Sequence, residues 1–401
     1  MSRNISTGID IGTYQVKVVV AEDVSENSGE KATPKIIGTG YAVSKGLRHG
    51  YILNQTDATR SLKSAIEQAE KSSGVKIKKT FLSIGGIGLG SVVLTGNTAI
   101  SRADNEITEL DLEKVVEVSQ SEIPASFSLN RKIIHTVPIQ YKIDGRNVLG
   151  RPNGMKGLKL EVKTLFINCL EHHLNDLIET VEEAGVEVED VIAAPMAAAL
   201  VTLSKTQKIA GCVLANIGSE TVSIAVFENG IPISLEVFPI GSNDITNDIA
   251  LGLKIPLEEA EEIKRGSVIG STYPRKKLEE IIEARLSDIF DLIEAHLKKI
   301  GKNGLLPAGI VITGGGAGIE NISELAKSIL KLPAKVGSVS FSENSKGQIK
   351  DASWSVAYGL CILGLNGYES GSGLISNGNG GTRGGSTLIQ RILEWIKQFL
   401  P

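Results

Sequence analysis

The chain has 401 residues, 41% of them hydrophobic and 22% charged, with a formal net charge of −4 at pH 7. That length predicts two or more domains at ~100–200 residues each, with enough apolar content for their cores. The mild acidity and the 4% of aromatic residues supply neither a basic surface nor stacking platforms, so no nucleic acid is expected as a partner. Cys169, Cys212 and Cys361 sit in apolar stretches without metal-ligand spacing and read as core residues of a reducing compartment. Charged and polar residues interrupt the first apolar strand, so no signal peptide is read. No apolar run reaches the ~20 residues needed to cross a bilayer. The expectation is a protein in the cytosol or bound to a membrane from its cytosolic side.

In chain order, the first informative stretch is Gly8–Val20, GIDIGTYQVKVVV. An apolar strand carrying Asp10 turns at Gly12–Thr13–Tyr14–Gln15 and resumes at Val16. Gly12 lets the backbone approach a ligand closely. The turn amides and the Thr13 hydroxyl can face an anion. Lys17 adds a positive charge, and Asp10 is placed to hold a hydrated divalent cation. Alone, the pattern is equally an ordinary hairpin turn. A strand at 35–43, a helix at 57–71 with Leu62, Ala65, Ile66 and Ala69 on one face, and a strand at 79–84 follow. Residues 85–165 read as a small α/β insert, with strands at 91–94, 131–143 and 159–167. Its helix, 111–121, starts after Thr108, with Asp111 completing an acidic capping box.

A helix at 171–184, a strand at 186–193 and an Ala-rich helix at 196–204 lead to Leu214–Asn229, LANIGSETVSIAVFEN. Laid on Gly8–Asp23 without a gap, it matches at Ile11/Ile217, Gly12/Gly218, Val16/Val222, Val20/Val226 and Glu22/Glu228. A repeat at half the chain length predicts two similar domains, each offering a phosphate-binding hairpin to one cleft. That puts Asn216, Gly218, Ser219, Glu220 and Thr221 on one wall of the cleft and Asp10, Gly12, Thr13, Tyr14 and Lys17 on the other. An amphipathic helix at 278–300 carries Arg285 and Asp288. In GIVITGGGAGI (309–319), Gly314, Gly315 and Gly316 follow an apolar strand and precede a helix-like run, a place for sugar or phosphate at a helix N-terminus.

From Gly367 the composition becomes glycine-rich with Ser and Asn, a flexible linker by its lack of packing groups. It ends in STLIQRILEWIKQFLP, where Leu388, Ile389, Ile392, Leu393, Ile396, Phe399 and Leu400 share one helical face with Trp395 at its edge. A helix this short is marginal in water and needs an apolar partner surface. A bilayer interface suits it, and docking on protein is the other reading.

The two hairpins and the glycine cluster, in this order, resemble the actin/Hsp70/sugar-kinase superfamily. The insert sharpens the likeness. His135, Pro138, Tyr141, Asp144 and Gly145, then Pro152, Gly154, Met155, Gly157, Leu160 and Glu161, match the inserted subdomain of the FtsA family, bacterial cell-division actin homologues. The stretch from Gly241 through Ala250 and the helix 258–266 are also similar to that family. Taken by its residues alone, Glu261 with Lys264 is an ordinary pair on a solvated helix.

The resemblance implies an actin-like α/β fold of duplicated ribonuclease H-like domains, with a small α/β insert in the first domain and a C-terminal amphipathic helix on a flexible linker. The expected divisions are 1–84 with 166–206, the insert 85–165, 207–245 with 307–366, a small subdomain 246–306, the linker 367–385 and the helix 386–401. The resemblance implies ATP and Mg²⁺ as ligands, with Asp10 and Asn216 toward the metal, Gly241 at the nucleotide, and Glu261 and Lys264 toward base or ribose. It also implies self-assembly into filaments, other division proteins as partners, and the C-terminal peptide of FtsZ bound near Arg285. The tail helix would hold the chain on the cytoplasmic membrane.

Three positions depart from the family: Asn216 replaces an aspartate, Glu220 a glycine and Ala194 a glutamate. They predict nucleotide binding with slow turnover or none. A scaffold resembling PilM and a phosphotransferase of the sugar-kinase branch are the alternatives, the first lacking a reason for the tail helix and the second an acid to activate a substrate hydroxyl.

Overall fold

The computed structural model describes residues 4–24, 34–266, 273–339 and 351–366. The expected linker and tail helix, 367–401, lie outside them. Valines and isoleucines in Ile5–Ile11 (β1) and Gln15–Asp23 (β2) form an antiparallel hairpin that pairs Asp10 with Lys17. Pro34–Val43 (β3) extends it, and Leu47–Arg48 (β4) pairs with Tyr51–Ile52 (β5). Helix Gln55–Ser73 (α1) starts where the Asn54 side chain accepts the Asp57 amide at 3.1 Å and stops at left-handed Gly74. Lys79–Ile84 (β6) then runs parallel to β1.

The insert holds Gly90–Ala99 (β7), Glu109–Ser121 (α2), the single turn Ala125–Ser128 (α3), Arg131–Ile143 (β8), Arg146–Val148 (β9) and Lys159–Leu170 (β10). Its four strands form their own antiparallel sheet, β7-β10-β8-β9. Leu112, Val115 and Val116 of α2 pack on Tyr141, Leu160 and Val162 to make a separate core. The capping box forms as the sequence predicts, Asp111 Oδ2 accepting the Thr108 amide at 2.9 Å. His135 is a satisfied strand residue: its Nε2 accepts the Ala193 amide at 3.2 Å, and burial pushes its pKa down to about 3.

Glu171–Glu183 (α4), Glu187–Ala193 (β11), Ala194–Thr202 (α5) and Lys205–Ala210 (α6) complete the first half. The second comprises Cys212–Ile217 (β12), Val222–Glu228 (β13), Ile231–Phe238 (β14), Ser242–Leu253 (α7), Leu257–Lys264 (α8), Arg275–Lys299 (α9), Ile310–Thr313 (β15), Ile322–Leu330 (α10) and Ala334–Val336 (β16), after which Ser355–Leu365 (α11) returns to pack on β1 and β2 of the first.

The two large sheets run β3-β2-β1-β6-β11 and β14-β13-β12-β15-β16. Each is an antiparallel meander followed by two parallel strands, and the hairpin registers coincide: Asp10 faces Lys17 as Asn216 faces Ser223. The repeat seen in the sequence is therefore a repeat of topology. Helix α5 crosses α11 so closely that a Cβ on Gly359 would lie 1.9 Å from the Ala197 carbonyl oxygen. The alanines of α5 are buried there, which is why that helix is built from small residues. All three cysteines are buried and free. Among the described residues no helix is long and apolar enough to cross a membrane.

Candidate functional site

A cleft of about 490 Å³ opens between the halves, with both hairpin turns on its walls. The turns are built alike. The Gly12 amide donates to the Gln15 carbonyl at 3.2 Å, and the Gly218 amide to the Thr221 carbonyl at 2.9 Å. Thr13 Oγ1 and Ser219 Oγ, equivalent positions of the repeat, meet at 2.6 Å across the cleft. The turns therefore touch at equivalent residues, and their hydroxyls and glycines border one place where an anion could sit.

Gly314, Gly315 and Gly316 also line the cleft. Gly314 is left-handed at φ 89°, and a Cβ there would lie 2.3 Å from Asn216 Oδ1, so only glycine lets this loop rest on the second hairpin. One expectation needs correction. The glycines form a 3-10 turn over Gly315–Gly318, and α10 begins only at Ile322, after left-handed Asn321. The loop presents its own backbone to the cleft rather than a helix N-terminus.

Asp10 and Lys17 form the charged floor. Burial raises the Asp10 carboxyl above its ordinary value, opposed by the Lys17 charge and by the hydrogen bond Ser83 Oγ donates at 2.7 Å. Burial likewise lowers Lys17, opposed by Asp10 and Asp351, and its ammonium donates to the Ser353 carbonyl at 2.9 Å. Asp351 and Ser353 also line the cleft. Neither was read from the sequence, because they sit just before α11, far along the chain from the hairpin they face.

The wall from the small subdomain is a tight polar cluster. Lys264 Nζ donates to the Ser242 carbonyl at 3.0 Å and to Thr246 Oγ1 at 2.8 Å, and it pairs with Glu261 Oε2 at 2.5 Å. An ammonium has three donors, so Lys264 spends all of them on protein and shapes the wall through Glu261. Burial alone would raise the Glu261 carboxyl, but hydrogen bonds from Lys264, Thr246 and Arg265 and the Lys264 charge outweigh it and hold it low. Arg265, missed in the sequence, donates to Glu261 Oε1 at 2.8 Å and to the Tyr14 hydroxyl at 3.0 Å, with its guanidinium 5.3 Å from the Tyr14 ring centre. It thus straps α8 to the first hairpin. Its place right after Lys264, four residues from Glu261, was the available signal.

Of the residues expected at the ligand, all but Glu220 and Gly241 line the cleft. Glu220 turns its carboxylate to the His49 amide, and Gly241 lies under the turn, where a Cβ would be 2.4 Å from the Ser219 carbonyl oxygen. Ala194 lines the cleft with a methyl group where the family resemblance implies a carboxylate. Arg285 lies apart on α9, its fork closed on Asp248 of α7 at 2.7 and 3.1 Å, with Asp288 at 3.3 Å. Helical spacing offers Asp288 as a partner, but the bidentate partner is Asp248. Leu388, Ile389, Ile392, Leu393, Trp395, Ile396, Phe399 and Leu400 lie outside the described residues.

Duplicated sheets of one topology, clasping a cleft between matched turns, define a protein of the actin-like class. Solved structures share that fold: the PilM–PilN type IV pilus biogenesis complex superposes with a TM-score of 0.66 at 17% identity, covering 90% of this chain and 98% of that one. MreB5 of Spiroplasma citri, bound to ADP, gives 0.51 at 14% identity, covering 90% and 96%. A family model described as cell division protein FtsA matches residues 213–359, and one described as an SHS2 domain inserted in FtsA matches 88–168. Cell division protein FtsA of Borreliella burgdorferi is 32% identical over 90% of this chain and 91% of its own length. That of Bacillus subtilis is 31% identical over 85% and 80%, and that of Pseudomonas aeruginosa 29% over 99% and 98%. The chain belongs to the FtsA family of cell division proteins. That membership decides for cell division over the pilus-scaffold and phosphotransferase readings.

Proposed function

We propose that the chain binds ATP in the cleft and, closed on it, assembles head to tail into filaments on the cytoplasmic face of the membrane, tethering FtsZ filaments there during septum formation. The observation that carries the nucleotide reading is the pair of equivalent turns meeting at Thr13 and Ser219, with the Gly314–Gly316 loop beside them. Phosphates suit a place bordered by two glycine turns and their hydroxyls, and a ligand touching both halves favours the closed state by its differential contacts. Asp10, raised by burial, is suited to a cationic neighbour. With Asn216 it would hold Mg²⁺, an amide contributing a dipole but no charge. The metal would neutralise phosphate charge. Glu261 and Arg265 would face the nucleoside end. Ala194 offers no group to orient an attacking water, which favours binding with slow turnover or none.

FtsZ's C-terminal peptide is assigned to the α7–α9 surface around Arg285, and the membrane to the apolar face of 386–401. At ~1.5–3 kcal/mol per fully buried large apolar side chain, one half-buried helix binds reversibly, and a filament gains its hold from many. Calorimetry with ATP tests the cleft. Gly12→Val should abolish binding by blocking the backbone's approach; wild-type affinity in that variant would refute the assignment.

A further inference from the structure

Glu220 belongs to the second hairpin turn, yet unlike Gly218, Ser219 and Thr221 it does not line the cleft. Its Oε2 accepts the backbone amide of His49 at 2.5 Å, and its own carbonyl oxygen lies 3.4 Å from His49 Nδ1. His49 belongs to the first half, in the turn between β4 and β5, and is left-handed at φ 49°. The same residue is held on its other side, its carbonyl accepting the Ile87 amide at 3.3 Å. Gly50, next to it, packs so closely that a Cβ would lie 2.4 Å from Gly86 Cα. Gly50, Gly85 and Gly86 all line the cleft. A carboxylate on the second half therefore grips a turn of the first, and that turn backs a glycine wall of the cleft.

We propose that Glu220 is a positioning residue for the nucleotide site, a latch joining the second phosphate turn to the His49–Gly50 turn so that a ligand sits in a cleft held shut at that edge. The inference rests on the nucleotide reading given above. An amide-to-carboxylate hydrogen bond is charge-assisted and stronger than its neutral counterpart. Opening the halves at this edge requires breaking it. The latch adds no contact to the ligand. It acts on how often the cleft opens, and so on release more than on encounter. A bulky acid beside the phosphates is tolerated for the same reason, since its charge is turned away from them and spent on a backbone donor.

The test uses the full chain as wild type, Glu220→Ala and Glu220→Gln, with two readouts: amide hydrogen exchange without nucleotide, and dissociation of a fluorescent ATP analogue. Glu220→Ala should expose the amides of residues 46–52 to faster exchange and release the analogue faster by roughly tenfold, the scale of one hydrogen bond to a charged group. Glu220→Gln should fall between, because a neutral amide oxygen still accepts the bond. Wild-type protection of β1 and β2 shows that the variants are folded. Unchanged exchange at 46–52, or faster exchange with an unchanged release rate, overturns the latch. Failure of the wild-type protein to bind the analogue refutes the nucleotide reading instead, and is told apart because exchange does not depend on it.

Discussion

Replacing Lys264 with methionine removes a buried ammonium at nearly constant volume and probes the small-subdomain wall of the cleft. The Lys264 side chain is 6% exposed and that of its partner Glu261 28%. Breaking a buried ion pair from one side costs ~3–5 kcal/mol. Glu261 keeps Arg265 and Thr246 and is partly solvated, and methionine avoids the cost of burying the ammonium, so the expected loss is about 2 kcal/mol at pH 7. The sign against pH follows from Glu261. Its folded pKa lies below the ordinary 4.5 because Lys264, Thr246 and Arg265 outweigh its desolvation. Its stabilisation is therefore complete above the unfolded value and is lost as pH falls through the folded one. Urea unfolding should show the full difference between wild type and Lys264→Met at pH 7 and a smaller one below pH ~4.5. Calorimetry at pH 7 should show ATP affinity reduced roughly tenfold, since 1.4 kcal/mol is a factor of ten. Equal stability and equal affinity in the variant would refute the claim that Lys264 organises this wall.

Lys17→Ala removes the ammonium that faces Asp10 and should weaken ATP binding by at least tenfold in calorimetry, on the order of one charge-assisted contact. Asn216→Asp adds a negative charge to the second hairpin's wall of the cleft and should steepen the Mg²⁺ dependence of ATP binding; an identical dependence would place residue 216 away from the metal. Arg285→Glu sets like charges against Asp248 and Asp288, so it should weaken binding of the FtsZ C-terminal peptide while ATP affinity is kept. Fluorescence anisotropy of a labelled peptide reads this, and unchanged peptide affinity would remove Arg285 from the partner surface.

The gapless repeat was legible because a hairpin's register is fixed locally, and Asp10/Lys17 and Asn216/Ser223 carry that register in their spacing alone. Thr108 with Asp111 announced α2 for the same reason. Helix α9 starts at Arg275, earlier than the apolar periodicity indicates, because its first turn carries charged side chains and lies against solvent. What joins the halves was not legible. Arg265 on Tyr14, Glu220 on His49 and Ser353 on Lys17 pair residues distant in sequence, and no local pattern encodes such contacts. The bidentate Asp248 partner of Arg285 escaped in the same way, since helical spacing points only to Asp288.

The tether is tested most directly by sedimenting FtsZ filaments with anionic vesicles, ATP and either the full chain or its Ile392→Glu/Trp395→Glu variant. The two glutamates place charges where acyl chains should lie. The full chain should carry FtsZ down with the vesicles, while the variant keeps its ATP affinity and leaves FtsZ in the supernatant. Equal sedimentation of FtsZ with both would contradict the account.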